Sequence, residues 1–305
     1  MKKQILAVDI GGSKMIVGLV RVHERDGQWY HEIVHTVGEK LPTEITEEEI
    51  LARIAHLTEL LKSHVSLSEI DSIGVTIPGL ADERVWIYAP FSGIQNFPIT
   101  DALEKYFGKP VFIENDVNAC AIAEGIFGAC REVRDFIWLT ISNGIGGGVV
   151  LDGHIYRGAR GFSGEFGHIN VVEDGELCGC GNRGCLEAEC AGPGISRYYA
   201  HLTGEQVSAA EIAQRARSGE VAARETYERE GWILGRTLAN AASILNPARI
   251  LIGGGVVGAW DLFSPALETE FRKNMFRRAN SDVIIQPTAL GYEAALLGAV
   301  ALTLK

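Results

Sequence analysis

The chain has 305 residues, 47% of them apolar, with 36 Gly, 6 Cys and 28 basic against 39 acidic side chains. At about 100–200 residues per domain this is one large domain or two ordinary ones with real cores, which excludes a disordered, fibrous or disulfide-stapled chain. A formal charge of −11 and the lack of any Lys/Arg run exclude a nucleic-acid binder that neutralises phosphates, so any polyanion handled here is small and locally cradled.

In chain order, Lys2-Lys3 precede an apolar run that Asp9 cuts short of a signal-peptide core, and nothing later approaches the ~18–20 apolar residues of a membrane span. The expectation is a cytoplasmic protein without membrane association. Thiols stay reduced there, so clustered cysteines read first as metal ligands or reactive thiols. Residues 4–10 read as a strand, Gly11-Gly12-Ser13-Lys14 as a tight turn and Met15 to Val22 as a second strand. Thr46 and Glu49 form a capping box that opens a helix with Ile50, Ile54, Leu57 and Leu61 on one face. Ser72 to Ile77 is a buried strand ended by Pro78-Gly79, and Pro110 to Ile113 is another, ended by Glu114-Asn115-Asp116 and followed by a helix from Val117 to Phe127.

The opening pattern then returns. Asp135 to Ile141 is a strand, Ser142 to Gly148 a glycine turn, and Val149 to Tyr156 a hairpin continuation with its own turn at Asp152-Gly153, so two related halves are expected. A long helix from Val221 to Leu245 stops at Asn246-Pro247, and a strand from Arg249 to Ile252 runs into Gly253-Gly254-Gly255.

Glycine turns let backbone N–H groups approach an anion with no Cβ in the way. Each turn alone is also compatible with an ordinary hairpin, but three at strand ends, one carrying Asp9 and Lys14, favour a phosphate chain held from several sides. The Walker pattern is absent. Gly253-x-Gly255-x-x-Gly258 matches the dinucleotide pattern in isolation, a weak signal, and the first two turns lead into strands where both of those motifs lead into helices. Asp9 ends a buried strand, where Mg²⁺ on nucleotide phosphates compensates an otherwise costly carboxylate; a turn Asp bonded to its own backbone is the alternative.

Asp116 lies between a strand end and a helix, where it can take a proton from a hydroxyl attacking phosphorus or simply cap the helix. Asn115, donor and acceptor at once, suits a polyol. The most specific stretch is Glu165-Phe166-Gly167-His168 followed by Cys178, Cys180, Cys185 and Glu187. His168 with the three cysteines makes a Cys₃His set for tetrahedral Zn²⁺ with no open position, hence structural. A ring fixed by metal aims its other nitrogen in one direction. Together with Asn115, Asp116, Glu165 and Glu187 it forms a set of directional partners such as a sugar needs. Cys120, Cys130 and Cys190 lack partner spacing and read as core residues.

These pieces, in order, resemble the ROK family of sugar kinases and regulators over essentially the whole chain: Asp9 to Lys14, Pro78-Gly79, Glu114 to Ala119, Gly144 to Gly148, Glu165 to His168, Cys178 to Glu187 and Gly253 to Gly255. The resemblance implies an α/β, actin-like ATPase (ribonuclease H-like) fold of two domains with a central cleft. It places residues 1–117 with 292–305 in a small domain and residues 118–291 in a large one carrying the zinc insertion, with the C-terminal helix packed back on the first. It further implies ATP-dependent transfer of a γ-phosphoryl group to a hexose hydroxyl, O6 of glucose or an N-acetylhexosamine, with Asp116 as base. Gly79, Asn115, Glu165, His168 and Glu187 would then hold the sugar. Asp9, Gly11, Gly12, Ser13, Lys14, Asn143, Gly144, Gly146, Gly147 and Gly253 to Gly255 would hold ATP and Mg²⁺, and His168, Cys178, Cys180 and Cys185 zinc. A homodimer is usual for the family. Ser13 replaces a commoner Thr, Asn143 stands where Thr is frequent and Ala295 where Gly is common. The segment Pro90 to Pro98 lacks the Trp of many glucokinase-like members, which leaves the hexose open. The other two expectations weighed are a sugar-sensing regulator, disfavoured because only eight residues precede Asp9, and a catalytically silent sugar binder.

Overall fold

The computed structural model describes residues 1–63, 66–89 and 93–304, with the Leu67 side chain also left out, so residues 90–92 of the Pro90 to Pro98 segment lie outside it. The chain forms two compact units. The first comprises residues 1–132, 155–162 and 289–305, the second residues 133–154 and 163–288.

In the first unit, β1 (Lys2–Ile10), β2 (Lys14–Arg25) and β3 (Gln28–Lys40) form an antiparallel meander, joined in parallel on the other side of β1 by β4 (Ser72–Ile77). α1 (Glu47–Leu60) follows β3, and both capping-box bonds are present: Glu49 N–H donates to Thr46 Oγ1, and Thr46 N–H donates to the Glu49 carboxylate. A three-stranded sheet of β5 (Leu80–Ala81), β6 (Trp86–Tyr88) and β7 (Gln95–Phe97) follows β4, then α2 (Ile99–Phe107), β8 (Val111–Asn115) and α3 (Asp116–Ile126). The main sheet order is β3-β2-β1-β4-β8. Along β1, Leu6, Val8 and Ile10 join Ile50, Ile54, Ile99 and Leu103 in one core, while Ile5 and Ala7 join Ile122 and Leu297 in another. Alternate side chains therefore bury both faces of the strand, as a two-sided sheet demands.

The second unit repeats the plan. β9 (Phe136–Ile141) pairs antiparallel with β10 (Ile145–Leu151), and β11 (His154–Ile155) extends that edge beyond the Asp152-Gly153 turn, whose two residues are both left-handed. After α4 (Leu186–Cys190), α5 (Gly192–Thr203), α6 (Ala209–Arg217) and α7 (Val221–Leu245), β12 (Arg249–Gly253) pairs parallel with β9. α8 (Trp260–Asn274), the short α9 (Arg277–Asn280) and β13 (Ile284–Pro287) complete the order β11-β10-β9-β12-β13. The two sheets thus share one arrangement of antiparallel and parallel neighbours around a central first strand, and the expected halves are present.

The last helix, α10 (Ala294–Leu302), belongs to the first unit, where it packs on α3 and the main sheet. Contact is so close that a Cβ at Gly74 on β4 would lie 1.8 Å from the Ala299 carbonyl oxygen. By contacts the first unit runs unbroken to Glu132, because α3 packs beside α10, which itself lies directly on β1 and β4. β8 and β10 are among the spans that differ from the sequence expectation. β8 continues to Asn115, and Gly146 to Gly148 are strand residues of β10, which confines the turn to Ser142, Asn143 and Gly144. No helix among the described residues is long and apolar enough to cross a membrane.

Candidate active site

Parallel pairing of β1, β4 and β8 in register, Asp9 opposite Thr76 and Thr76 opposite Glu114, sets two carboxylate-bearing strand ends on either side of a threonine hydroxyl. Open α/β sheets present their functional groups at this edge. Asp9 Oδ1 accepts from Thr76 Oγ1 at 2.7 Å, and Oδ2 has no partner among the described residues. Burial pushes the Asp9 carboxyl up, opposed by the Thr76 bond and by the charge of Lys14. Just beyond Asp9 the turn closes through Gly11 N–H on the Lys14 carbonyl at 2.8 Å, and Leu41 N–H braces Ser13 at 2.9 Å.

Asn115, not Asp116, is the N-cap of α3. Its Oδ1 accepts the N–H groups of Val117 and Asn118, and its Nδ2 donates to the Gly79 carbonyl at 2.9 Å and to Asp116 Oδ1 at 3.1 Å. The cap frees Asp116 to project from the first helical position with Oδ1 held by Asn115 and the Val117 N–H. Loss of water, then the neighbouring Asp9 charge, pushes the Asp116 carboxyl up to about 7 against these hydrogen bonds. The Pro78-Gly79 turn is pinned from beneath by buried Trp86, whose Nε1 donates to the Pro78 carbonyl at 3.0 Å. Glu114, 4% exposed, accepts the Asn115 N–H and the Asn118 amide on Oε1, and its Oε2 is gripped by Arg157 through Nε at 3.1 Å and through Nη2. Thr76, Trp86 and Arg157 carry no motif and were not legible as site residues.

In the second unit the ends of β9 and β12 lie together, since Gly253 pairs with Thr140. A Cβ at Gly254 would lie 2.4 Å from the Ile141 carbonyl, and Gly255 comes close to Ser142 Oγ. Exposed Asn143 sits at the apex of the neighbouring turn. At Gly147 a Cβ would meet the Phe166 ring at 2.2 Å, so packing accounts for glycine there. The same Phe166 seats the turn that carries Glu165 and His168 on β10.

His168, Cys178, Cys180 and Cys185 converge, with all ligand atoms within 4.8 Å of one another. A tetrahedron of ~2.3 Å Zn–S bonds has edges of about 3.8 Å. Cys180 and Cys185 Sγ lie 3.7 Å apart, and Cys178 Sγ lies 3.6 Å from His168 Nδ1, so the donor set fits zinc. Cys178 N–H donates to the Asn182 carbonyl, and the left-handed turn at Gly181 closes the knuckle. Burial and the two adjacent thiols push Cys185 up to about 12, whereas the Asn182 backbone N–H lowers exposed Cys180. His168 Nε2 faces Glu165 at 3.8 Å, and Glu187 Oε2 accepts the Ile145 N–H at 2.9 Å. Cys120, Cys130 and Cys190 are buried.

Comparison with known proteins gives these features a lineage. The model of the ROK family matches residues 5–305. The glucokinase of Thermotoga maritima is 35% identical over 285 residues, 88% of this chain and 87% of that protein. The xylose repressor of Bacillus subtilis is 29% identical over 257 residues, 84% of this chain, and the match spans only 66% of the repressor. A ROK family glucokinase from Streptomyces griseus, solved in complex with glucose and AMPPNP, superposes with TM-score 0.81 at 30% identity, covering 99% of this chain and 98% of that one. The fold is therefore the actin-like ATPase fold of those kinases. With a match running from Ile5 to the last residue, the chain belongs to the ROK family.

Proposed function

We propose that the chain is an ATP-dependent sugar kinase that transfers the γ-phosphoryl group to a hexose hydroxyl, O6 of glucose or of an N-acetylhexosamine. The observation that carries this reading is the Asp116 carboxyl: hydrogen-bonded through Oδ1 and pushed by desolvation and the Asp9 charge up to about 7, where a general base works best. In the reaction the hydroxyl oxygen forms a bond to Pγ as the bond from Pγ to the bridging oxygen breaks. The hydroxyl proton passes to Asp116, and ADP leaves with the bridging oxygen. Asn115 and the Gly79 turn, with Glu165, His168 and Glu187 of the second unit, bind and orient the sugar.

The turns at Gly11 to Lys14, Asn143 to Gly144 and Gly253 to Gly255 bind the phosphates. Gly146 and Gly147 support the second of these from within β10. Asp9, a half-buried, desolvated carboxylate with one oxygen unclaimed, fits as the holder of Mg²⁺, directly or through water. When bound, that ion neutralises phosphate charge. Zinc in the Cys₃His set is structural and steadies His168 and, two residues beyond Cys185, Glu187.

The kinship with glucokinases over 87% or more of their length supports catalysis. Similarity to the xylose repressor favours a second reading, a sugar-responsive regulator. ADP release by the purified protein, measured with glucose, N-acetylglucosamine, N-acetylmannosamine, allose and fructose, tests the first. Sugar-dependent release is expected. Silence across the panel, with sugar binding retained, would leave the second.

A further inference from the structure

Glu187 lies in the first turn of α4, and the N–H that its Oε2 accepts belongs to Ile145, the residue that opens β10 directly after the Ser142-Asn143-Gly144 turn. The helix and the turn are joined again nearby. Gly192 N–H donates to the Ser142 carbonyl at 2.7 Å, Ala191 N–H to the Glu187 carbonyl at 3.0 Å, and Ser142 N–H closes the turn on the Gly144 carbonyl at 2.9 Å. A methyl group at Gly144 would lie 2.6 Å from Glu187 Oε2, although the backbone there is not left-handed. A side chain at 144 would therefore have to push the Glu187 carboxylate off its present position. Among the described residues no Lys, Arg or His pairs with Glu187, and its Oε1 has no protein partner.

The geometry points to Glu187 as a coupling residue. One oxygen fixes the backbone of the turn assigned to nucleotide phosphates while the other is left for a sugar hydroxyl, so each ligand biases the site of the other through one side chain. This rests on the sugar-kinase reading above. A charge-assisted bond from a main-chain N–H is strong and directional, so a carboxylate drawn toward sugar must carry the turn with it or release it. Such linkage is reciprocal and falls typically in the range of about 5–150-fold.

Calorimetric titration of Mg²⁺-AMPPNP into wild type, Glu187→Gln and Glu187→Ala, with and without the sugar that supports ADP release, is the test. Glutamine keeps a carbonyl acceptor for Ile145 while losing the charge and turning the other oxygen into an NH2 donor, so in the absence of sugar the Ala/Gln comparison isolates the bond to the turn. Without sugar, Glu187→Ala is expected to bind AMPPNP roughly fivefold or more weakly than Glu187→Gln, and to lose the effect of sugar on nucleotide affinity that wild type shows. Gly144→Ala, which displaces the carboxylate while leaving it in the chain, is expected to behave like Glu187→Ala and carries the test if the latter misfolds. Equal sugar-free affinities in all variants, or no sugar effect in wild type, overturn the coupling while the kinase reading stands. Wild type that releases no ADP with any sugar overturns the kinase reading itself.

Discussion

Thr76 Oγ1 reaches across the parallel pair β1 and β4 to donate a 2.7 Å hydrogen bond to Asp9 Oδ1, and Thr76 itself has no solvent exposure. Valine is nearly isosteric and keeps the strand. Thr76→Val is therefore expected to remove one hydrogen bond to a partly buried carboxyl, costing about 1.5–3 kcal/mol, and to weaken Mg²⁺-AMPPNP binding. Urea unfolding at pH 7 and calorimetry read the two effects. An unchanged urea midpoint would show that the hydroxyl does not support Asp9.

Asp116→Asn removes the proposed base but keeps the N-cap at Asn115. The turnover number is expected to fall by roughly 10²–10⁴ with sugar affinity nearly retained. In wild type, turnover should rise with pH through about 7, as the carboxyl that burial and Asp9 push up loses its proton. A flat pH profile between 5 and 8, or full activity in the variant, would remove Asp116 from the chemistry.

The same residue should make the fold pH-sensitive. The Asp116 carboxyl is raised from 3.8 to about 7 in the folded chain, so its contribution is fully present below about pH 4 and is lost as pH rises through 7. That difference corresponds to at most about 4 kcal/mol. Asparagine resembles the protonated form at every pH. The stability of Asp116→Asn relative to wild type is therefore expected to grow between pH 5 and pH 8 in urea unfolding, and a gap that stays constant would contradict a desolvated, shifted carboxyl.

For the metal, one equivalent of zinc is expected in purified wild type and none in Cys180→Ser. Chelation should also reduce sugar affinity, because His168 and the segment leading to Glu187 lose their anchor. Elemental analysis at one equivalent in the variant would contradict the Cys₃His assignment.

Arg157→Met strands Glu114, whose remaining partners are the Asn115 N–H and the Asn118 amide. Those bonds soften the loss, and Arg157 is half exposed, so the cost should be about 1–3 kcal/mol, below the ~3–5 of a fully buried pair. Adding Glu114→Gln should recover much of it in a double-mutant cycle. Additive losses would mean that the two side chains act independently.

How far the site could be read from sequence depended on whether its chemistry was local. The Thr46 capping box, the helix stopped at Asn246, and the Cys₃His set each draw their partners from one short stretch, and each is where the sequence places it. Thr76 and Asp9 are 67 residues apart, and Arg157 and Glu114 are 43, so only the strand order brings them together. β3 and the small sheet of β5 to β7 went unread, the first because its alternation is half-buried and polar, the second because its strands have only two or three residues. At Gly147 the packing of the Phe166 ring also demands glycine, a demand that looks identical in sequence to an anion cradle.

The seating of α10 against Gly74 bears on how the protein is made. A ribosome reaches residues 294–302 only after the whole second unit has been synthesised, yet that helix supplies part of the apolar cover of β1 and β4. Until then that face of the nascent first sheet has α3 as its only helical cover among the described residues, and premature termination before Ala294 would release a chain prone to being captured by chaperones or proteases.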